Sequence, residues 1–274
     1  MTAETSPIVR TRPPLGALRI AAANLRQIRP IILPLATASA VLLGWQLLVT
    51  RLHVPEVILP SPDAISRELW RALPLLLANA WPTTLDTLMA FCVATVLGVG
   101  CAIVLSYSRL LRDVLYPNLV AFQLIPKVAL APLFVVWLGI GSTSHVAFAA
   151  FVSFFPIAIS AALGFASVEL SALQLCRSLT ASEWQCFAMV RFPFALPAIF
   201  SGMKIAMTMA TVGVIIAEFI SSKAGLGFYI LYASSRMETA NVFAALFMLC
   251  AVGVALFGAV ALAERLVRHS YGRR

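Results

Sequence analysis

Residues 241–263 have the sequence NVFAALFMLCAVGVALFGAVALA, a run of apolar and small residues that contains no charge. An α-helix rises about 1.5 Å per residue, so about 20 such residues cross the roughly 30 Å hydrocarbon core of a bilayer. This stretch therefore predicts a membrane-spanning helix.

Five similar runs precede it along the chain, at about residues 31–51, 79–107, 117–138, 144–165 and 194–217. The run at 117–138 contains Pro117, Pro126 and Pro132, and such interruptions are tolerated where neighbouring helices or water satisfy the freed backbone groups. The expected fold is an all-α integral membrane protein with six transmembrane helices. Residues 1–30 are expected as a cytoplasmic N-terminal segment without a cleavable signal, 31–263 as the transmembrane domain and 264–274 as a cytoplasmic tail.

The composition excludes several classes of protein. Hydrophobic residues make up 61% of the chain and charged residues 11%, with a mean hydropathy of +0.94, whereas soluble domains carry about 25% charged residues. The net charge of +9 forms no basic stripe, so membrane lipid rather than nucleic acid is the expected partner. No phosphate-binding GxxxxGK[ST] loop, metal-ligand spacing or catalytic triad is visible, so we expect neither an enzyme nor a cofactor or metal bound by this chain.

The positive charges predict the orientation in the membrane. Six spans place 13 of the 20 lysine and arginine residues on the side of both termini and 5 on the other side. Cytoplasmic loops carry an excess of Lys and Arg, so both termini are expected in the cytoplasm. This topology leaves one long cytoplasmic connection, at about residues 166–193.

That connection contains SVELSALQLCRSLTASEWQCFAMVRFP at residues 167–193, a helix–break–helix pattern. SLTAS interrupts the periodicity, and Ser182 followed by Glu183 favours a new helix start with an acid in its first turn. Trp184 and Phe187 follow at helical spacing, as apolar anchors for a partner. We expect an amphipathic helix pair beneath the membrane.

At this connection the chain resembles the permease subunits of binding-protein-dependent ABC importers. Their signature is E-A-A, three residues, G, nine residues, then I-x-L-P. Here Gln174, Leu175 and Cys176 occupy the first places, Thr180 replaces the glycine, and residues 190–193 (VRFP) fill the last. PSPDAI at 60–65, FQLIPKVALAPLFVVWLGIG at 122–141 and AEFISSKAGLGFYI at 217–230 look most like the nitrate/sulfonate/taurine branch, which also holds riboflavin and pyrimidine permeases.

The resemblance implies the partners and the working parts. The partners would be ABC ATPase subunits that bind ATP-Mg, an extracytoplasmic solute-binding protein and a second permease copy, in a bacterial inner membrane. The loop would supply the coupling helix. Its implied contact residues are Gln174, Leu175, Cys176, Arg177, Ser178, Thr180, Ala181, Ser182, Glu183, Trp184, Phe187 and Pro193. A glycine is usual at position 180 because the turn favours a positive φ.

Four residues are candidates for the translocation path: Gln123, Pro126, Lys127 and Glu218. A lysine at mid-bilayer costs about 2.5–3.5 kcal/mol on insertion scales, so Lys127 either faces the path or extends to the headgroups from a span end. Glu218 either acts as a gate or ion pair, as Asp86 could, or lies solvated at a helix end. Lys204 is expected to extend to the cytoplasmic surface, and His145 to lie at the interface without a ligand role.

Two functions compete at this stage. An ATP-driven importer is favoured by the loop, and it would carry either an organic anion or a vitamin-like pyrimidine or flavin. An ion-gradient transporter or channel would need membrane-embedded carboxylates and commonly internal repeats, neither of which is evident. An intramembrane enzyme would need a paired nucleophile and base or a metal motif, and neither is visible.

Overall fold

The computed structural model describes residues 33–34 and 36–271, so the predicted N-terminal segment and the last three residues lie outside the described part. The chain divides into two compact units, residues 1–63 and 64–274. In the first unit, α1 spans residues 36–51 and is followed by a turn in which His53 has a φ of 49°. Gln46 Oε1 accepts a hydrogen bond from the Asp63 backbone N–H at 3.3 Å.

The remaining helices follow a simple order. They are α2 (Pro62–Arg71), α3 (Leu73–Tyr107), α4 (Arg109–Gln123), a 3₁₀ turn (Lys127–Leu130), α5 (Ala131–Leu138), α6 (Ser142–Ala166), α7 (Leu170–Ser178), α8 (Glu183–Cys186), a π-helical turn (Phe187–Arg191), α9 (Phe192–Ser221), α10 (Leu226–Ser235) and α11 (Thr239–Tyr271).

Four helices in the described residues are long and apolar enough to cross a membrane. They are α3, α6, the continuous helix Glu183–Ser221 and Thr239–His269. A fifth crossing is formed if Leu110–Gln123 and Lys127–Leu138, which meet at 88°, make one broken span. The sequence interpretation of the 117–138 run is confirmed at Pro126 only. Pro117 lies inside α4, and Pro132 lies in the first turn of α5, where its missing N–H costs nothing.

The long helices of the second unit share two ends, with α3 and α6 running in one direction and α9 in the other. Aromatic contacts join Phe187 before α9 to Tyr107 at the end of α3 and Phe165 near the end of α6. We call this the loop end, because the α7–α8 segment lies there. At the opposite end, here the far end, α3 and α6 begin and α9 ends. Asp86 of α3 contacts Ser142 and His145 of α6 there.

Small residues bring α6 and α9 into close contact. A Cβ atom added to Gly213 would lie 2.8 Å from the Ala149 Cα, and one added to Gly202 would lie 2.9 Å from the Pro156 carbonyl oxygen. Real Cβ atoms essentially never approach so closely, so a larger residue would force the helices apart. The small residues of the predicted fifth span therefore serve packing within the chain. The closely packed α6–α9 pair has the polar groups of the far end at one end and the loop at the other.

Candidate coupling loop and path residues

The segment at the loop end has the predicted helix–break–helix shape. Ser182 caps α8: its hydroxyl accepts a hydrogen bond from the Gln185 backbone N–H at 3.2 Å, and the Gln185 side chain accepts one from the Ser182 N–H at 2.8 Å. Such a reciprocal capping box satisfies two donors that the first turn leaves unpaired. Glu183 follows in that first turn, where the helix dipole favours an acid. The cap fixes where the chain turns from α7 into α8.

Thr180 forms the turn between α7 and α8 with a φ of 52°. This is the left-handed region in which a Cβ atom crowds the next carbonyl oxygen, at a cost of roughly 1–2 kcal/mol per residue. The backbone at this position therefore keeps the shape that a glycine would favour, although a β-branched residue occupies it. The Ala181 N–H donates to the Cys176 carbonyl oxygen at 3.2 Å and closes the turn.

Phe187 is the centre of an aromatic cluster at the base of the loop. Its ring lies 5.8 Å from Phe165, 5.8 Å from Trp184, and 6.0 Å from both Tyr107 and Phe192. Phe187 is 7% exposed, whereas Trp184 is 72% exposed. The sequence interpretation offered both rings as anchors for a partner, and only Trp184 has the exposure for it. Phe187 instead packs against the ends of three long helices.

The other predicted loop residues lie around this cluster. Gln174 and Glu183 line a cleft between the loop and the end of α3, and Arg191 crosses it to place its guanidinium over the Tyr107 ring at 5.6 Å. Leu175, Cys176 and Ser178 lie in the second half of α7, and Arg177 lies there too. Pro193 stands in the first turn of α9. The predicted loop residues thus all lie between α7 and the first turn of α9.

The path candidates occupy two separate places. Gln123 ends α4, and its carbonyl oxygen accepts a hydrogen bond from Lys127 Nζ at 3.5 Å, across the break at Pro126. Lys127 Nζ also lies 5.0 Å from the centre of the Phe155 ring on α6. An ammonium above an aromatic face is stabilised by the ring quadrupole. Lys127 is half-buried at the bend of the broken pair.

Glu218 lies at the far end and is 2% exposed. Its Oε1 accepts a hydrogen bond from Thr83 Oγ1 at 2.7 Å, and its Oε2 accepts one from the Gly227 N–H at 2.7 Å. Thr83 Oγ1 in turn accepts from the Leu226 N–H at 2.8 Å. The carboxylate is therefore fully engaged between α3 and the turn into α10, and a solvated helix end is excluded in this conformation.

A second buried acid lies nearby on α3. Asp86 Oδ1 accepts a hydrogen bond from Ser142 Oγ at 2.5 Å, and its Oδ2 lies 3.2 Å from His145 Nδ1. His145 Nε2 lies 3.4 Å from Ser221 Oγ on α9. His145 lies in the first turn of α6, at the end of a span, and its side chain is buried against Asp86. Asp86 was the sequence signal that could have predicted this contact, because an acid within a span needs a partner.

Lys204 has a partner that the sequence interpretation did not predict. Its Nζ lies 2.9 Å from Glu264 Oε2 on α11, so it forms a partly buried ion pair with a neighbouring helix. Among the described residues, no group of three or more His, Cys, Asp or Glu side chains is arranged to hold a metal ion.

Long apolar helices, an embedded polar network and a structured loop at one end define a multi-pass helical membrane protein. Residues 94–269 match the family described as binding-protein-dependent transport system inner membrane component. The chain belongs to this family of ABC transporter permeases, as the loop signature indicated.

Curated relatives cover most of the chain. A probable ABC transporter permease of Haemophilus influenzae is 33% identical over 82% of this chain and 91% of its own length. The riboflavin transport system permease RibX of Chloroflexus aurantiacus is 34% identical over 84% and 87%. The taurine permease TauC of Escherichia coli is 29% identical over 87% and 90%. The resemblance to the sulfonate and taurine branch is thereby confirmed, and these relatives are permeases rather than enzymes.

Solved structures share the fold. An inward-facing form of the MetNI methionine ABC transporter superposes with a TM-score of 0.62 at 18% identity, covering 72% of this chain and 98% of that one. A chain of an amino acid ABC transporter superposes with a TM-score of 0.57 at 16% identity, covering 74% and 97%. Both support the permease fold.

Proposed function

We propose that the chain is the membrane-spanning subunit of an ATP-driven importer, and that the loop at about residues 166–193 couples it to a separate ATPase that binds ATP-Mg. The observation that carries this proposal is the opposite exposure of two neighbouring rings. Phe187 is buried against the ends of α3, α6 and α9, while Trp184, one turn away, is exposed. A partner that moves Trp184 would therefore move the helices that hold Phe187.

The linkage is short and stiff. α8 continues through the π-helical turn into α9 without a break, so a displacement of α8 is transmitted along α9. Arg191 Nη1 donates to the Ser106 carbonyl oxygen at 3.5 Å, which adds α3 to the same unit. Rigid-body movement of tightly packed helices between two arrangements is a common way to switch a transport protein.

The proposed assembly has two copies of this chain, two ATPase subunits and an extracytoplasmic binding protein, in a bacterial inner membrane. In this arrangement α1 supplies the first of six crossings, both termini and the loop end face the cytoplasm, and the far end faces the binding protein. The relatives named for taurine and riboflavin support a small polar or anionic solute. We propose that Lys127, at the bend of α4 and α5, attracts it.

Co-purification with the ATPase encoded beside this chain tests the proposal. Trp184→Ala should weaken the association about tenfold or more, as loss of an aromatic anchor of about 2 kcal/mol does. Trp81→Ala is the matched control, because Trp81 is 70% exposed near the start of α3, at the far end. If the two variants associate as well as the unaltered chain, the loop is not the docking element.

A gradient-driven transporter is the alternative that the embedded acids Asp86 and Glu218 would favour. In this structure, however, their oxygens are engaged by protein donors from α3, α6 and the α9–α10 turn. Uptake of solute into membrane vesicles whose cytoplasmic face is inside distinguishes the two functions. The importer requires ATPase and binding protein and survives an uncoupler, whereas uptake that an uncoupler abolishes would support the alternative.

A further inference from the structure

A cleft of about 510 Å³ lies at the loop end, between the α7–α8 segment and the adjoining ends of α3, α4 and α6. Its polar lining includes Ser106, Tyr107, Arg112, Gln174, Glu183 and Arg191. All of these residues belong to the second compact unit. The cleft lies at the ends of α3 and α6, two helices long enough to cross a membrane. In a chain that spans a bilayer, such helix ends reach the level of the lipid headgroups.

The guanidinium groups of Arg112 and Arg191, which line the cleft, have hydrogen-bond donors without a protein acceptor. Arg191 stacks over Tyr107 and donates one long hydrogen bond, of 3.5 Å, to a carbonyl oxygen. In the part of the chain that the structure describes, the Arg112 side chain makes no hydrogen bond to a protein group and pairs with no carboxylate. Glu183 also lines the cleft, but it makes an interaction of its own. An anion that carries several acceptor oxygens would match the two arginines.

An apolar pocket of about 110 Å³ adjoins the cleft. It shares Ser106, Arg112 and Ala166 with the cleft, and its other walls are Leu105, Tyr116, Ala162 and Leu163. Leu163 is largely exposed, on the outer side of α6. The combined site is therefore basic at one end and apolar at the other. A soluble phosphate needs only the first part, whereas a phospholipid fills both.

We propose that this combined site binds an anionic phospholipid, with its phosphate between Arg112 and Arg191 and the start of one acyl chain in the apolar pocket beside Leu163. Basic sites between membrane helices at the headgroup level recognise anionic lipids in this way. Because Arg191 belongs to the loop and Arg112 to α4, a bound lipid ties the loop to the neighbouring helix. The inference goes beyond the proposed transport function and rests only on the chain spanning a membrane.

Native mass spectrometry of the full-length chain, delipidated in detergent, tests this site. The ligands are dioleoyl phosphatidylglycerol, the matching zwitterionic phosphatidylcholine and inorganic phosphate. We expect phosphatidylglycerol to bind in preference to the other two, and Arg112→Gln to weaken it about fivefold, the effect of one basic residue at a lipid surface. Ala166→Phe, which keeps the charge but fills the shared wall, should weaken it as well.

Arg268→Gln is the matched control, because Arg268 is an exposed arginine near the end of α11, outside the cleft. It should leave phosphatidylglycerol binding unchanged, and the melting temperature of every variant shows whether it folds. Equal weakening by Arg112→Gln and Arg268→Gln would overturn the proposal, and so would displacement of the lipid by equimolar inorganic phosphate. An Arg112→Gln variant that binds lipid normally but loses the ATPase would show a protein contact instead.

Discussion

The backbone N–H of Gly227 donates a hydrogen bond to Glu218 Oε2 at 2.7 Å, across the turn that joins α9 to α10. The same carboxylate accepts from Thr83 of α3, so one buried acid holds two helices and a turn together. This contact requires close approach of the backbone. A Cβ atom on Gly227 would lie 2.8 Å from Glu218 Oε2, and one on Gly225, whose φ is 112°, would also collide with the carboxylate.

Gly225→Ala and Gly227→Ala should therefore lower the stability of the chain. The added methyl group would displace the Glu218 side chain, at a cost of about 1–3 kcal/mol for overpacking. Thermal unfolding in detergent should show a lower melting temperature for both. Gly253→Ala is the control, since Gly253 lies within α11 with nothing near its absent Cβ; it should be neutral or stabilising. Equal effects at all three positions would argue against the contact.

Thr83 and Glu218 should behave as a coupled pair. Thr83→Val removes a donor, and Glu218→Gln places an amide group where both neighbours donate, so each single change should cost about 1–3 kcal/mol. The double variant should lose less than the sum, with a coupling of about 0.5–3 kcal/mol. Additive losses in unfolding measurements would show that the two side chains act independently.

Lys204 and Glu264 should respond unequally to neutralisation. Glu264 keeps Arg268 within 3.8 Å when Lys204 is replaced, whereas Lys204 in α9 keeps no other acid among the salt bridges of the described residues. Removing one member of a partly buried pair leaves an uncompensated charge that is only partly solvated. Glu264→Gln should thus lower the melting temperature more than Lys204→Met, and the double variant should recover part of the loss. The reverse order would contradict this pairing.

Thr180→Gly should stabilise the loop slightly. It removes a left-handed penalty of roughly 1–2 kcal/mol and adds back about 0.5–1 kcal/mol of chain entropy, for a net gain of about 0–1.5 kcal/mol. Ala181→Gly, beside it and without a positive φ, should only destabilise. Limited proteolysis of the α7–α8 segment measures both changes. Faster cleavage of Thr180→Gly would indicate a different turn.

The apolar runs were sufficient to predict the membrane class and most spans, because the bilayer requires a long uncharged helix. The helix cap and the turn of the loop were also predictable from the neighbouring sequence. Ser182 caps α8 as its sequence suggested, and Thr180 keeps the positive φ expected of a glycine. These features depend on a few neighbouring residues, so the local sequence contains the information.

Pairings between distant residues were not predictable. Asp86 and His145 are 59 positions apart, and Lys204 and Glu264 are 60 apart, so only the packing of the helices brings each pair together. The burial of Phe187 has the same origin. α8 leads straight into α9, which places Phe187 beside the ends of α3 and α6 and leaves Trp184 one turn beyond them. Helical spacing alone groups the two rings on one face.

The most direct test of the account is photo-crosslinking from position 184 in the assembled transporter. A benzoylphenylalanine in place of Trp184 should attach the chain to the ATPase subunit on illumination, and the yield should change between the ATP-bound and nucleotide-free states. The same group at position 81 should give no ATPase adduct. Absence of an adduct from position 184, or labelling of that position by an impermeable reagent from outside intact cells, would contradict the coupling role.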